Sequence, residues 1–210
     1  MKKMKRLLIS MLVVFTLATF SIYGINQYNI NYNVNQNDTI EVVDSMVLLQ
    51  NKKDSIKTEL ISSVTEYINK QAPKSHDSIP TYLVNYALKY DIDLCFMMGQ
   101  TQIETNFGTS GAGRESSKRS LFGVHIYPGT PFKGYKNYDI AVEEYCKLLR
   151  KSYLVKGRDE KFLMRNYINR SGNRYAGAPN YEVHLSQTYR TIKNSTNIAS
   201  LQLSYGAIVL

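Results

Sequence analysis

Apolar residues recur along most of this chain at the three- and four-residue spacing of amphipathic helices. Residues 40–70 carry one such stripe, residues 72–78 interrupt it, and a second stripe follows Ser78, a residue type that caps helix N-termini. The first stripe consists of Ile56, Leu60, Val64, Tyr67 and Ile68, and the second of Ile79, Tyr82, Leu83, Tyr86, Ala87 and Tyr90. The pattern predicts a long helix, either a stalk or a helix packed on the domain, and a domain that begins near Ser78.

The downstream pattern is also mostly helical, with one glycine-rich interval. A helix is predicted over about 93–107, and its apolar start indicates burial at that end. Residues 108–134 hold six of the 12 glycines and predict loops and short strands. Three further helices are predicted, one capped by Asp139, one near 159–168 and one over 181–192. The C-terminal tail, 195–210, shows no readable period.

The N-terminus has the pattern of an export signal. Four basic residues precede an uncharged apolar run at 7–23, which predicts a signal peptide or a membrane anchor over residues 1–25. The basic end is expected to stay inside while the rest of the chain crosses the membrane. We therefore expect an exported or membrane-anchored protein of the cell envelope, on the periplasmic or extracellular face. Residues 26–77 would form a linker and the amphipathic helix.

Composition and charge limit the classes of partner and of active site that this chain can have. The 210 residues are 43% hydrophobic and 20% charged, which is enough apolar material for a packed core. The formal charge is +9, of which four basic residues belong to the N-terminal segment, and the +5 of the rest of the chain suits a polyanionic partner such as a bacterial cell wall. No nucleic-acid-binding signature accompanies it, so nucleic acid is not expected. The two cysteines and three scattered histidines fit neither a zinc-thiolate nor a zincin site, and no P-loop occurs, so we expect no metal and no cofactor.

One acidic residue stands out against this background. Glu104 lies near the end of the predicted apolar helix, with Gln100 and Thr101 one turn earlier on the same face. The negative end of the helix and partial burial both disfavour a charged carboxylate, so its pKa is expected to be raised. A carboxylic acid that stays protonated near neutral pH can protonate a departing glycosidic oxygen. On spacing alone, an ordinary solvated helix glutamate is the simpler interpretation.

Four segments in chain order resemble the bacterial glucosaminidase family, glycoside hydrolase family 73, of the lysozyme-like superfamily. Residues 100–108, Gln-Thr-Gln-Ile-Glu-Thr-Asn-Phe-Gly, are similar to its signature around the catalytic acid. Residues 120–124, 138–149 and 174–181 are similar to its Asn-Leu-Phe-Gly stretch, its Tyr-x-Ser helix and its Tyr-Ala-Thr-Asp-Pro-x-Tyr stretch. The resemblance covers about residues 78–194.

This resemblance implies an α+β, predominantly α-helical, lysozyme-like catalytic domain over residues 78–194. Its expected substrate is the glycan strand of peptidoglycan. Glu104 would be the catalytic acid, and the implied substrate-binding residues are Gln100, Phe122, Tyr175 and Tyr181.

The chain also departs from the family pattern. Ser120 replaces the family's Asn, and Gly177 and Ala178 replace its Thr-Asp. Family members often carry a second acid between the segments that here end at 124 and begin at 138, yet residues 124–137 contain no carboxylate. Glu115 is the only loop candidate, since Asp139 is expected to cap a helix and Glu143 and Glu144 to lie on a solvated face. The substrate's own 2-acetamido oxygen, or a muramyl 6-hydroxyl, could then attack instead.

These observations leave several functions open. An endo-β-N-acetylglucosaminidase is the leading prediction, a muramidase or lytic transglycosylase is the enzymatic alternative, and a non-catalytic wall-binding or assembly protein is the other. Cys95 and Cys146 lie on apolar faces and predict buried thiols, with a disulfide left open. A Cys95 peptidase using His125 or His184 is the weaker alternative. The owner could be a bacterium, or a phage for which the protein is an endolysin.

Overall fold

A computed structural model describes residues 36–124 and 133–208, with side chains from Asp44 onward. Contacts divide the chain into two units, Met1–Leu48 and Leu49–Leu210, and the hydrophobic core lies in the second. The predicted signal peptide or anchor and His125 fall outside the described residues. None of the described helices combines the length and the apolar character that a bilayer crossing requires.

The described residues are mostly helical, as predicted. The helices are α1 (Gln36–Gln71), α2 (Ile79–Tyr90), α3 (Leu94–Thr105), α4 (Gly111–Arg114), α5 (Tyr138–Leu148), which continues into a π-helical turn (Leu149–Tyr153), α6 (Glu160–Leu163), α7 (Tyr181–Ser195) and α8 (Ile198–Gly206). Their order matches the predicted pattern except at α4, in the glycine-rich interval, and at α8, in the predicted tail.

The β component of the α+β prediction is small in the described residues. Their only recorded β pairing outside helices is one isolated antiparallel bridge between Ile168 and Arg174. The described part of 108–134 forms α4 and turns instead of short strands. Positive φ angles recur through it, at Gly108 and Gly123 for example, and left-handed residues interrupt the extended backbone that a strand needs.

Polar side chains set the starts of the helices. Asp93 caps α3 and accepts a hydrogen bond from the Phe96 amide at 3.1 Å. The prediction that Asp139 caps the next long helix is wrong. Asn137 caps α5, accepting from the Ile140 amide at 3.0 Å, while Asp139 in the first turn accepts from the Tyr86 hydroxyl at 2.8 Å. Asparagine and aspartate are both favourable at the N-cap position, and here Asn137, two residues before Asp139, occupies it.

Helix α3 forms the centre of the core. Its first turns are fully buried, as their apolar sequence predicts, and α7 packs along it. Gly99 lies at this contact, where an added Cβ would be at an ordinary van der Waals distance, 3.4 Å, from the backbone nitrogen of Tyr189. Cys95 and Cys146 are buried, free thiols, and burial raises the pKa of each to about 12. Neither thiol therefore has the properties of a catalytic nucleophile.

The core extends beyond residues 78–194 on both sides. Leu60, Val64 and Ile68 of α1 are buried in it, so this half of the helix is packed on the domain and is not a free stalk. The predicted C-terminal tail contains α8, which buries Ile198. The Gln202 side chain of α8 accepts from the backbone nitrogen of Leu94 at 2.8 Å and so caps the start of α3 from outside.

Candidate active site

The candidate site begins where α3 ends. Glu104 occupies the last turn, and the two residues after the helix, Asn106 and Phe107, have positive φ angles of 45° and 54°. Their amides bond back to the carbonyls of Gln102 at 3.0 Å and Thr101 at 3.3 Å. The chain therefore turns sharply just beyond the acid, and Glu104 lies at the negative end of the helix, as predicted.

Three side-chain hydrogen bonds hold this turn in place. From α1, the Tyr67 hydroxyl donates to Oε1 of Gln102 at 3.0 Å, and from the turn after α1, Ser75 donates to the Phe107 carbonyl at 2.8 Å. From α3 itself, Thr105 donates to the Leu121 carbonyl at 2.9 Å. The backbone around Glu104 is thus fixed from two directions, by α1 and by the loop that contains Leu121.

The Glu104 carboxyl is half-buried between α7 and that loop. Its Oε1 accepts a hydrogen bond from the Tyr181 hydroxyl at 2.6 Å. Its Oε2 lies beside Gly123, where an added Cβ would come within 2.9 Å of the oxygen. Gly123 has a φ of +67°, so both its backbone conformation and the carboxyl group favour glycine at this position.

The surroundings make Glu104 a weaker acid than an exposed glutamate. Burial raises the pKa of its carboxyl, and the hydrogen bond from Tyr181 opposes that rise. Within the described residues, no salt bridge reaches Glu104. The shift has the predicted direction, and a carboxyl group with a raised pKa keeps its proton to higher pH than an exposed glutamate does.

Two of the predicted tyrosines lie beside the acid. Tyr181 begins α7, is only 6% exposed and bonds directly to Glu104. Tyr175 is partly exposed, stacks on Tyr167 at 4.5 Å between ring centroids, and donates from its hydroxyl to the Phe122 carbonyl. The structure therefore brings Tyr175 and Tyr181 together with Glu104 in one aromatic cluster.

Gln100 and Phe122 occupy supporting positions instead of the predicted substrate-contacting ones. Their side chains are 0% and 1% exposed, so they offer no surface to a glycan. Phe122 stacks on Tyr145 at 3.6 Å, and Oε1 of Gln100 accepts from Tyr145 and from Tyr167, the latter at 2.8 Å. Both face inward because they fill the space between α3 and the tyrosines.

No second acid is paired with Glu104 in the described residues. Glu115 is exposed and forms a surface ion pair with Lys118 at 2.9 Å. Glu143 bonds to Lys89 at 2.7 Å, which, with further hydrogen bonds, lowers its pKa to about 2. The role of Glu115 as the second catalytic acid stays a prediction.

Two residues of the site were missed from the sequence. Tyr167 is fully buried and links Gln100 to Tyr175, yet it lies in an irregular segment after α6, where no helical period marks it. Gly123 belongs to the Leu-Phe-Gly-Val run, and its contact with Glu104 depends on long-range packing. A glycine between apolar residues was the one available signal for that position.

Cleavage of a glycan strand requires an open groove beside the acid, and such a groove stays a prediction. Glu104 does not line any of the five cavities that described residues form elsewhere in the domain. The residues that follow Gly123 and Val124, 125–132, are outside the described part of the chain.

Comparison with protein families confirms the resemblance. The glucosaminidase family model, described as mannosyl-glycoprotein endo-beta-N-acetylglucosaminidase, matches residues 80–194. Since this match spans more than half of the chain, the protein belongs to the glucosaminidase family. It is a glycoside hydrolase that acts on the cell wall, and its substrate is peptidoglycan. A search of curated proteins found no match. The family match contains Glu104 and both cluster tyrosines, whereas α1 and α8 lie outside it.

Proposed function

We propose that this protein is an endo-β-N-acetylglucosaminidase with a lysozyme-like fold that cuts β-1,4 bonds of the peptidoglycan glycan strand. Glu104 is the general acid. The observation that carries this proposal is the half-buried Glu104 carboxyl at the end of α3, whose pKa is raised by burial and whose one hydrogen-bonding side chain among the described residues is the neutral Tyr181. An acid of this kind keeps its proton to higher pH than an exposed glutamate does.

In the first step, the Glu104 carboxyl gives its proton to the bridging oxygen while the bond from that oxygen to the anomeric carbon breaks. Because no second carboxylate of the described residues is hydrogen-bonded to Glu104 or Tyr181, the substrate's 2-acetamido oxygen attacks the anomeric carbon and forms an oxazolinium ion. Water then adds to this ion, and the Glu104 carboxylate takes the proton that the water releases. The product has a reducing N-acetylglucosamine end.

The aromatic cluster supports this chemistry in two ways. Tyr181 holds one oxygen of the acid, which restricts its carboxyl to one orientation. Tyr175, partly exposed next to Tyr181 at 6.1 Å between ring centroids, provides an aromatic face for a sugar ring or for the acetamido group.

The same proposal gives the protein a location and a mode of approach. Residues 1–25 would direct export or anchor the chain in the membrane, and the domain would work in the cell envelope. Its basic excess would favour contact with the anionic wall.

The direct test is zymography on purified cell walls. We expect wild type to clear the gel and Glu104→Gln to lose at least about a hundredfold of the activity while still binding walls, because a general acid contributes about 10²–10⁴-fold. Glu144→Gln is the matched control, since Glu144 is an exposed helical glutamate paired with Lys147 at 3.0 Å. Wild type that binds walls without clearing them would identify a non-catalytic wall-binding protein instead.

Two further measurements separate the mechanisms. Mass spectrometry of the released fragments should show reducing N-acetylglucosamine ends. Reducing muramic ends would indicate a muramidase, and anhydro ends a lytic transglycosylase. Glu115→Gln should keep its activity under the substrate-assisted mechanism, and its inactivation would restore a two-carboxylate scheme.

A further inference from the structure

We propose that a cavity in the segment Arg150–Arg174 is a second binding site, which takes phosphate or carboxylate oxygens of the cell wall. The cavity has a volume of about 550 Å³, and Glu104 does not line it. We call it the basic cavity, and it is lined by Val155, Lys156, Arg158, Arg170 and Ser171. The inference rests on the proposed function, because it names the surface through which the same domain contacts the anionic wall.

The basic excess of the domain is concentrated in this segment. Its 25 residues contain eight basic and two acidic side chains, which is a formal charge of +6. The rest of the chain beyond residue 25 contains 14 basic and 15 acidic residues, which is a formal charge of −1. The attraction between the domain and an anionic polymer is therefore centred on one continuous stretch of the chain.

The cations of the basic cavity have no anionic partner among the described residues. Lys156, Arg158 and Arg170 form none of the salt bridges in this part of the chain. The two acids of the segment have other roles, since Asp159 caps α6 and Glu160 accepts a backbone N–H group at 3.1 Å. Guanidinium and ammonium groups that lack an ion pair are available to phosphate and carboxylate oxygens.

Arg158 joins the two loops that form the basic cavity. Its guanidinium donates to the carbonyls of Ile168 and Asn169, both at 3.0 Å. It also borders a neighbouring cavity that contains the two acids of the segment. The charge of Arg158 is thus held in place by the backbone, whereas Lys156 and Arg170 are exposed. These two side chains can be replaced without loss of the bonds that hold the loops together.

A hairpin connects the basic cavity to the aromatic cluster beside Glu104. Arg170 and Ser171 lie at the tip of this hairpin. At its base, the backbone nitrogen of Tyr175 donates to the Tyr167 carbonyl at 2.8 Å. Because Tyr175 is five residues after Arg170, their backbones lie within about 18 Å of each other. An anion bound at the tip would therefore hold the wall close to the proposed sugar-binding face.

The test removes the two exposed cations. It uses the full chain with Glu104→Gln, so that the walls stay intact during the measurement. Lys156→Gln combined with Arg170→Gln should weaken co-sedimentation with purified walls about tenfold, because each cation lost near an anionic surface weakens binding several-fold. Lys156→Arg combined with Arg170→Lys keeps both charges and should retain most of the binding. Lys52→Gln combined with Lys57→Gln is the matched control, since these two lysines of α1 also form no salt bridge among the described residues. It should leave binding nearly unchanged.

The outcomes separate this inference from the proposed function. Unchanged binding after loss of Lys156 and Arg170, or an equal loss in the α1 control, would overturn the basic cavity as a site. Walls freed of phosphodiester polymers by hydrofluoric acid identify the source of the anion. Binding that disappears with these polymers indicates phosphate, and binding that persists and still requires both cations indicates carboxylates of the peptide stems. Wild type that clears no walls would overturn the proposed function, while the binding comparison would still test the basic cavity.

Discussion

At the scale of single residues, the acid strength of Glu104 is a balance between burial and one hydroxyl group. Burial favours the protonated carboxyl, and Tyr181 favours the charged one. A raised pKa keeps the proton available for the glycosidic oxygen, and the hydroxyl keeps the carboxyl oriented. Burial sets the pKa of the acid and the Tyr181 hydroxyl sets its orientation, so a substitution that removes only the hydroxyl separates the two effects.

Tyr181→Phe should separate them. Removing the hydroxyl leaves burial unopposed, so the pKa of Glu104 rises further, and the activity that is lost as pH increases through this pKa is lost at a higher pH. We also expect the maximal kcat to fall roughly tenfold, because the carboxyl is no longer held in one orientation. A kcat/KM profile from pH 4 to about 9 measures both effects. An alkaline limb that stays in place or moves downward would contradict the assigned role of Tyr181.

The absence of a side chain at Gly123 leaves room for the Glu104 carboxyl, so an added Cβ there should reduce activity. In Gly123→Ala, the new Cβ would approach Oε2 of Glu104 to 2.9 Å, so the carboxyl must move. We expect kcat to fall by about 10²-fold, the order of effect that a displaced catalytic group produces. Gly172→Ala is the matched control, because Gly172 has a similar φ of +84° with nothing within 4 Å of an added Cβ. Both variants carry the backbone cost of about 1 kcal/mol, and equal kcat values for the two would exclude the contact as the cause.

At the scale of secondary-structure elements, the helix that carries the acid is supported from outside the family-matched region. The turn after Glu104 is held by Tyr67 and Ser75, and the start of α3 is capped by Gln202 of α8. Residues 80–194 alone would therefore leave both ends of α3 without these partners. The part of α1 that packs on the core and α8 belong to the folding unit of the catalytic domain.

Leu60→Ala tests this conclusion. Leu60 is fully buried although it lies 20 residues before the matched region, so we expect a loss of about 2–5 kcal/mol in the free energy of unfolding. Urea denaturation followed by circular dichroism measures it. Leu203→Ala is the control, since Leu203 on α8 is 76% exposed, and its change should stay within about 0.5 kcal/mol. Equal, small effects for both variants would mean that α1 contributes little to the domain.

Local patterns predicted the helices better than the site. The apolar period located α2, α3 and α7, and the place of Glu104 at the end of α3 followed from it. The period failed for α8, which is short and buries few residues, and cap chemistry did not distinguish Asn137 from Asp139. The buried positions of Gln100 and Phe122, and the presence of Tyr167, depend on packing between distant segments. A single sequence read by local spacing does not contain that information.

At the scale of the whole molecule, the basic excess makes a prediction about salt. Beyond residues 1–25 the chain has 22 basic and 17 acidic residues, and this formal charge of +5 should draw the domain to the anionic wall over distances comparable with the Debye length, about 30 Å at 0.01 M and about 10 Å at 0.1 M ionic strength. We therefore expect binding to purified walls, measured by co-sedimentation, to weaken steadily as salt rises over this range. Binding to chitin, an uncharged β-1,4 polymer of N-acetylglucosamine, is the matched control and should change little.

The salt dependence of kcat is a second measurement. Screening reduces the attraction between the domain and the wall but leaves the hydrogen bond between Glu104 and Tyr181 nearly unaffected, so kcat on short soluble glycans should stay constant across the same series. Wall binding that ignores salt, or a kcat that falls in parallel with it, would show that the charge of the domain does not govern its approach to the wall.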